Sequence, residues 1–238
     1  MHPGAEYRDE NKIVWAQPGS LRHLIIFTFA FSLKNMIGII KYQAGNLASV
    51  SNALDRLQAD YIISNNTDEL DKTDAIIFPG VGHAAAAMDD LRSKNLDAWL
   101  KNTKKPVLGI CLGMQLFYDS SEEGDCEALG IIPGRLKRFD STKAKVPHMG
   151  WNSFESIKKH NLLTGIEEKH FLYYVHGYYA PLSDYTLASC NYIQNFTAVT
   201  AKDNFIGVQF HPEKSGQVGS LLLQNFLDMV NSHERSDG

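Results

Sequence analysis

The chain has 238 residues, of which 44% are hydrophobic and 21% are charged, and its formal net charge is −4. This length suits one large α/β domain or two small ones, and the hydrophobic fraction is ordinary for a soluble protein with a sizeable core. The charges are scattered and slightly negative overall, which gives no electrostatic argument for a nucleic acid or an anionic membrane as a partner.

The cysteines are few and irregularly spaced, at Cys111, Cys126 and Cys190. An odd, small number argues against a disulfide framework and favours a reducing compartment, so we expect a cytoplasmic protein. The sequence contains neither a paired CxxC nor an HExxH segment, and we therefore expect no metal and no cofactor.

Residues 1–35 differ in sequence pattern from the rest and contain the apolar run Leu24–Leu33. That run is far shorter than the roughly 20 residues that span a bilayer. It has the length of a signal-peptide core, but no clear small-residue cleavage site follows it. We therefore expect an N-terminal extension outside the fold, from a start codon placed too early, with a weak membrane or partner anchor as the alternative.

From Met36 the pattern alternates strand and helix. Helical spacing predicts helices after Asn46, which can act as a helix cap, around Leu91–Leu100 and from Leu112 to Tyr118. The apolar runs predict strands at Met36–Ile40, Tyr61–Ile63, Ala75–Phe78 and Val107–Ile110. Repeated strand–helix units indicate a doubly wound, mostly parallel sheet, whose functional sites lie at the carboxyl ends of the strands.

After about Gly124 short strand-like runs lie close together, with few helical patterns between them. They lie at Arg135–Phe139, Phe171–Val175, Leu187–Cys190, Phe196–Thr200 and Ile206–Phe210. This pattern of closely spaced short strands predicts an antiparallel β-rich addition in the C-terminal half of the same α/β domain. The apolar positions Leu221, Leu222, Phe226 and Val230 predict a closing amphipathic helix over Val218–Val230. We place the domain at residues 36–232 and a short tail at 233–238.

The segment Gly109-Ile110-Cys111-Leu112-Gly113 places a cysteine between two glycines, directly after an apolar strand and before a predicted helix. A nucleophile at such a strand-to-helix turn sits on a tight, strained elbow, and the flanking glycines leave room for neighbouring backbone. A buried structural thiol is the competing interpretation.

A thiol nucleophile needs a base, and the base needs an orienting acid. About a hundred residues later, Phe210-His211-Pro212-Glu213 ends another apolar strand, and His211 and Glu213 can supply these two roles. Residues two apart in an extended chain face the same way, so Glu213 can lie beside His211.

Attack on a carbonyl creates an oxyanion that preorganised donors must stabilise. One donor is expected to be the backbone N–H of Leu112, directly after the nucleophile. The other is expected from the loop Pro79-Gly80-Val81-Gly82, where we assign Val81, because glycines allow the backbone to turn an N–H into the site.

Taken together, the motif around Cys111, extended to Gln115, and the segment Gln209–Ser215 resemble the triad (class I) glutamine amidotransferases over most of the chain from Met36. Three further stretches narrow the resemblance to the glutaminase subunits of imidazole glycerol phosphate synthase, which act in histidine biosynthesis. These stretches are Pro79–Gly82, Pro147–Asn152, and Tyr42 with Gly45-Asn46-Leu47.

The resemblance implies that Cys111 attacks the side-chain amide of L-glutamine, that His211 shuttles protons and that Glu213 orients it. A γ-glutamyl thioester forms, ammonia leaves, and water releases glutamate. The positions that match the family's glutamine-binding residues are Gly80, Gln115, Glu123, His176, Gly177 and Tyr178.

The resemblance also implies a heterodimer with a (β/α)8-barrel cyclase that consumes the ammonia. The positions that match the partner-facing residues are Asn46, His148, Trp151 and Lys214. Core packing is the competing interpretation for Trp151, a solvated loop for His148, and a plain surface charge for Lys214.

Two departures from the family pattern affect the identity of the partner. Lys41 stands where the family often has an acid, and Gly177 where a small hydroxyl residue is common. The same glutaminase chemistry supplying sugar amination in surface polysaccharide synthesis is therefore the alternative within the enzyme class. Two alternatives come from other classes: a Cys-His hydrolase or peptidase, and a catalytically silent interaction protein.

Overall fold

The computed structural model describes residues 35–43 and 46–233. Apart from Asn35 and His233, the predicted N-terminal extension and C-terminal tail lie outside these residues. In the part of the chain that the structure describes, no helix is both long enough and apolar enough to cross a membrane.

Six α-helices and fourteen β-strands lie within the described residues. The helices are α1 Leu47–Arg56, α2 Thr67–Leu70, α3 Ala84–Ser93, α4 Leu96–Asn102, α5 Leu112–Gln115 and α6 Gly216–His233. The strands are β1 Met36–Ile40, β2 Asp60–Ser64, β3 Ala75–Gly80, β4 Val107–Cys111, β5 Tyr118–Ser121, β6 Cys126–Glu127, β7 Ile132–Arg138, β8 His148–Asn152, β9 Phe154–Ile157, β10 Leu172–His176, β11 Tyr178–Tyr179, β12 Thr186–Tyr192, β13 Gln194–Lys202 and β14 Phe205–Val208. Two short 3₁₀ turns, Asn161–Leu163 and Pro212–Lys214, complete the set.

The main sheet has eight strands in the order β2-β1-β3-β4-β14-β13-β12-β9. The first five strands are mutually parallel, and β13, β12 and β9 extend the sheet in antiparallel fashion. This arrangement confirms the predicted α/β class, with a doubly wound, mostly parallel sheet and an antiparallel addition from the C-terminal half.

Side chains of the inner parallel strands β1, β3, β4 and β14 are buried on both faces of the sheet, as expected when helices cover both sides. On β3, Ile77 belongs to the core formed with α1 and α6. Its neighbours Ile76 and Phe78 belong to the opposite core, formed with α3 and α4. The alternation follows from the two-residue period of a strand, and it holds β3 and β4 rigidly between two apolar layers.

Three helical predictions need correction. The helix predicted over Leu91–Leu100 is two helices, because Asn95 adopts φ 56° and interrupts the helical backbone between α3 and α4. The helix after Cys111 ends at Gln115, because Tyr118 begins β5 and pairs with β7. Asn46 stands at the N-cap of α1, but its side chain makes no capping hydrogen bond.

The closing helix α6 is longer than predicted, and its buried face differs by one residue. Leu222, Phe226 and Val230 are buried, four residues apart along one helical stripe, whereas Leu221 is 37% exposed. Consecutive helical residues point about 100° apart, so Leu221 turns away from the face that contains Leu222.

Two smaller sheets carry the rest of the strands. β8 and β10 form an antiparallel pair, and β11, β7, β5 and β6 form a four-stranded sheet. The register of the first pair places His148 opposite His176, which brings two distant predicted site residues together.

Candidate active site

A cavity of about 260 Å³ opens at the carboxyl ends of β3, β4 and β14. Its walls are formed by Val81, Gly82, Cys111, Leu112, Gln115, Glu123, Pro147, Val175, His176, Gly177, Tyr178, His211 and Lys214. The crevice lies where the parallel-sheet rule places it. Tyr42, in the loop after β1, is buried behind Gly80 and does not line the cavity.

Cys111 occupies the predicted elbow between β4 and α5, with φ 53° and ψ −108°. Such a backbone conformation costs about 1–3 kcal/mol for a residue with a side chain and persists only where the surroundings enforce it. The surroundings here are backbone and aromatic atoms: a Cβ on Gly113 would lie 1.9 Å from the Phe78 carbonyl oxygen, and one on Gly109 would lie 2.6 Å from the Phe117 ring. Both glycines are therefore required by the close packing of the elbow.

The sulfur of Cys111 lies at the cavity wall, although the residue is only 6% exposed. Its Sγ is 3.7 Å from the Val175 carbonyl oxygen, to which the thiol donates. It is also 3.7 Å from Nε2 of Gln209, which donates to the sulfur. The sulfur therefore meets one acceptor and one donor while it remains open to a small molecule in the cavity.

His211 shares the cavity with Cys111 and is held from behind by Glu213. Its Nδ1 donates to Oε1 of Glu213 at 2.8 Å, and both side chains are almost completely buried. Burial alone would lower the pKa of His211, but attraction to Cys111 and to Glu213 outweighs it and raises the pKa to about 10. A buried imidazole whose neighbours favour its charged form, set between a cysteine and a carboxylate, is the arrangement that thiol-based nucleophilic catalysis uses.

The local backbone brings Glu213 to His211 by a different route from the predicted extended chain. Pro212–Lys214 form a 3₁₀ turn with His211 at its N-cap. Ser215 fixes this turn, because its hydroxyl donates to the His211 carbonyl at 2.6 Å and accepts from the Tyr173 backbone N–H at 3.0 Å. The contact was predicted correctly, although its backbone geometry was not.

The two predicted oxyanion donors, Val81 and Leu112, both line the cavity. Leu112 is the first residue of α5, and Val81 follows β3 with its side chain partly exposed. Gly80 lies behind the elbow, paired with Cys111 in the sheet, and is not part of the cavity wall. A Cβ on Gly80 would lie 2.7 Å from the Gly113 nitrogen. A glycine at position 80 therefore leaves the space that the cysteine elbow occupies.

Among the predicted glutamine-binding side chains, Gln115 and Glu123 line the cavity. Nε2 of Gln115 donates to the Tyr178 carbonyl and to Oε1 of Gln209, each at 2.9 Å. Oε2 of Glu123 accepts from the Ala84 backbone N–H at 2.8 Å, and burial raises the pKa of this carboxyl above its usual range.

His176, Gly177 and Tyr178 form one continuous wall of the cavity. Nδ1 of His176 donates to the Tyr178 carbonyl at 2.8 Å, which leaves Nε2 to accept from Nδ1 of His148 at 3.2 Å. Burial lowers the pKa of His176 to about 3 and that of His148 to about 4, so both rings are neutral at neutral pH.

The four predicted partner-facing residues lie in different environments. Trp151 is 55% exposed on β8, Lys214 is exposed at the cavity wall, and Asn46 is partly exposed. His148 is buried, stacked 4.1 Å from the Tyr192 ring, so its side chain is not available on the outer surface. This position corrects the expectation that His148 faces a partner, and it equally excludes the solvated loop that we considered.

Three features of the site were missed at the level of sequence. Gln209 was quoted as part of a motif, but its approach to Cys111 was not anticipated. The other two features are Pro147 and Val175, which line the cavity. Nothing in the apolar run around Val175 indicates that its carbonyl meets a thiol, whereas the position of Gln209 two residues before His211 was a usable signal.

Metal ligands do not cluster in the described ranges 35–43 and 46–233: no group of three or more His, Cys, Asp or Glu residues there could hold a metal ion. Cys111, Cys126 and Cys190 are all free thiols.

Comparison with known families matches residues 38–230 to the model of "Glutamine amidotransferase class-I". The chain is 46% identical to the "Imidazole glycerol phosphate synthase subunit HisH" of Bacteroides fragilis (strain YCH46) over 195 residues, which cover 81% of this chain and 99% of that protein. It is also 46% identical to the protein of the same name from Shewanella sediminis, covering 81% of this chain and 90% of that one.

Solved structures support the same fold. A putative GMP synthase component from Thermoplasma acidophilum superposes with a TM-score of 0.68 at 20% identity, covering 86% of this chain and 98% of that one. The PurLQS structure from Thermotoga maritima gives a TM-score of 0.59 at 20% identity, covering 83% of this chain and 100% of that one.

Proposed function

The chain is an enzyme of the class-I glutamine amidotransferase family, and from that premise we propose that it is the glutaminase subunit of an imidazole glycerol phosphate synthase. In this role it hydrolyses L-glutamine and passes the ammonia to a (β/α)8-barrel cyclase in a heterodimer of the cytoplasm. The observation that carries the proposal is the strained cysteine elbow, which shares one small cavity with a carboxylate-held imidazole. The names of the relatives in two bacterial genera support this choice of acceptor reaction.

In the proposed reaction the Cys111 thiolate attacks the side-chain carbonyl carbon of glutamine. The N–H groups of Leu112 and Val81 stabilise the resulting oxyanion. The protonated His211 gives its proton to the leaving amide nitrogen, so that the C–N bond breaks and ammonia departs. Water then attacks the thioester while His211 takes the proton, and glutamate and the free thiol are released.

Substrate recognition is assigned to the opposite wall of the cavity. Glu123 is placed to pair with the α-ammonium group of glutamine, and the arrival of that charge would relieve the unfavourable burial of the carboxylate. Because Nε2 of Gln115 already makes two hydrogen bonds, we assign its Oε1 to the substrate. The backbone of His176, Gly177 and Tyr178 completes the pocket.

A partner is required on physical grounds as well. Ammonia in water at neutral pH is mostly ammonium, which is not a nucleophile, so a synthetic glutaminase must deliver it through a shielded path. The exposed apolar side chains of Met149 and Trp151, 62% and 55% exposed on β8, suit burial against such a partner. Lys214 and Asn46 are assigned to the same contact.

The decisive experiment uses the full chain with a bacterial cyclase partner, and compares wild type with Cys111→Ala. Glutamine-dependent product formation should be abolished, whereas synthesis from added ammonium salts should continue, because the cyclase needs only ammonia. A variant that uses glutamine at the normal rate would overturn the assignment of Cys111. If no cyclase stimulates the glutaminase activity of the wild type, but the barrel protein of a sugar-aminating system does, the polysaccharide alternative is favoured.

A further inference from the structure

The side chain of Gln209 lies between Cys111 and Gln115 and is completely buried. Its Oε1 accepts from Nε2 of Gln115 at 2.9 Å, and its Nε2 lies 3.7 Å from the sulfur. A carboxamide has one accepting end and one donating end. Because the oxygen is engaged by Gln115, the N–H₂ group must face the sulfur.

The orientation of Gln115 is fixed in turn by a backbone carbonyl. The Tyr178 carbonyl oxygen can only accept, and it receives hydrogen bonds from Gln115 Nε2 and from His176 Nδ1. Rotating the Gln115 carboxamide would set two oxygens against each other at Tyr178. The donor direction is therefore determined over two successive carboxamides, with no alternative assignment that satisfies every group.

The chain of hydrogen bonds continues from His176 toward the outer sheet. Nε2 of His176 accepts from His148, whose own Nε2 is 3.4 Å from the side-chain nitrogen of Asn152. That nitrogen also donates to the Asn191 carbonyl at 2.9 Å. When both imidazoles are neutral, all of these hydrogen bonds run in one consistent direction, with the Tyr178 carbonyl accepting two of them.

We propose that Gln209 is a positioning residue for Cys111, whose N–H₂ group is locked toward the sulfur and stabilises negative charge there. When the thiol gives its proton to His211, it loses its donated hydrogen bond to the Val175 carbonyl, whereas the bond accepted from Gln209 strengthens, since hydrogen bonds to ions are stronger than those between neutral groups. This inference rests on the nucleophile assigned in the proposed function.

The test measures the rate at which iodoacetamide alkylates Cys111 in the full chain between pH 5 and 9.5, following the Cys111 peptide by mass spectrometry. Gln209→Leu removes the donor, so the pH of half-maximal rate should rise. Gln209→Glu keeps an acceptor for Gln115 but places a carboxylate beside the sulfur, so the rise should be larger. Gln209→Glu is nearly isosteric, and it decides the question if Gln209→Leu does not fold.

The matched control is Asn225→Leu, which also removes a buried carboxamide with two hydrogen bonds, to the carbonyls of Leu162 and Thr164. It should leave the alkylation profile unchanged. With the cyclase present, Gln209→Leu should lower kcat for glutamine hydrolysis about tenfold to a hundredfold, the usual range for losing one hydrogen bond to a charged group. KM should change much less, because Gln209 does not line the cavity.

Unchanged alkylation profiles in both Gln209 variants, or an equal shift in Asn225→Leu, would overturn the inference. Alkylation requires neither glutamine nor a partner protein. An absence of glutamine hydrolysis by the wild type would therefore count against the proposed function alone, while the alkylation result would still decide the role of Gln209.

Discussion

Two buried pairs that contain histidine border the cavity, and the pKa values of their histidines are shifted in opposite directions. His211 beside Glu213 has its pKa raised to about 10, whereas His176 beside His148 has its pKa lowered to about 3. Burial opposes the charged form in both cases; it prevails at His176, whereas at His211 the neighbouring groups outweigh it. The Cys111 sulfur and the Glu213 carboxylate favour the charged form of His211. Burial, together with the nearby His148, keeps His176 neutral, although the hydrogen bond of His176 to the Tyr178 carbonyl opposes this.

This difference in pKa suits the two pairs to different roles within one small site. The charged pair can transfer protons, because His211 interacts directly with the Cys111 sulfur. The neutral pair is suited to a fixed hydrogen-bond direction, because each ring has one donor and one acceptor. The predictions below test whether these two roles can be separated.

The largest effect is expected from Glu213→Gln, which removes the charge that helps to keep His211 protonated and oriented. We expect kcat for glutamine hydrolysis to fall by about a hundredfold or more, as for the orienting acid of other triads. The measurement is steady-state glutaminase activity in the presence of the cyclase. Glu167→Gln, which alters an exposed pair with Lys169, is the control and should retain activity; equal losses in both variants would argue against the proposed role of Glu213.

The neutral pair should respond more weakly to His148→Phe. The new ring preserves stacking between Tyr174 and Tyr192, but Nε2 of His176 loses its donor. An unsatisfied buried acceptor costs about 1–3 kcal/mol, which urea denaturation will detect, and kcat should fall severalfold. His160→Phe, which removes one hydrogen bond to the Leu162 N–H, should lower stability without changing kcat. Equal kcat in both variants would show that the His148–His176 pair does not contribute to catalysis.

Acid should destabilise the neutral pair before most carboxylates titrate. The unfolded chain binds protons on both histidines below about pH 6.5, whereas the folded chain binds them only near pH 4 and pH 3. The free energy of unfolding should therefore fall as the pH decreases from about 6.5 toward 4. Above about pH 6.5 the contribution of these two histidines to it should be constant. Urea denaturation across this range should show a shallower fall for His148→Phe than for wild type; identical slopes would contradict the neutral assignment.

The smallest change is expected from Cys111→Ala on the titration of His211. Without the sulfur, only Glu213 opposes the effect of burial, so the pKa of His211 should decrease. Histidine NMR signals followed against pH measure this directly. An unaltered His211 titration would mean that the sulfur and the imidazole do not interact.

The parallel half of the fold was predictable because local pattern and tertiary role agree there. The apolar runs of β1, β3 and β4 are buried on both faces, and such strands are recognisable from composition alone. Asn95 shows the limit of this approach, because a left-handed asparagine divides a helical pattern without any glycine or proline to indicate it.

The site was predictable where chemistry and backbone constraint coincide in sequence, as at Cys111 and Gly113. His148 was misplaced because a polar residue in a loop-like segment gives no sign of burial; its partners His176, Tyr174 and Tyr192 are 26 to 44 positions away in the chain. Gln209 was overlooked for a different reason: its place two residues before His211 was a signal, but its contact with Cys111, 98 positions earlier, depends on the tertiary structure.

The contact between Gly113 and the Phe78 carbonyl has an evolutionary consequence. Main-chain atoms, shared by every amino-acid type, set the location of the sulfur there, so repacking of side chains elsewhere leaves that location unaltered. Exposed positions such as Val81, Lys214 and Trp151 are not fixed by that packing. Under the proposed function, such a scaffold keeps the amide-cleaving step fixed while its outer surface adapts to a different consumer of ammonia.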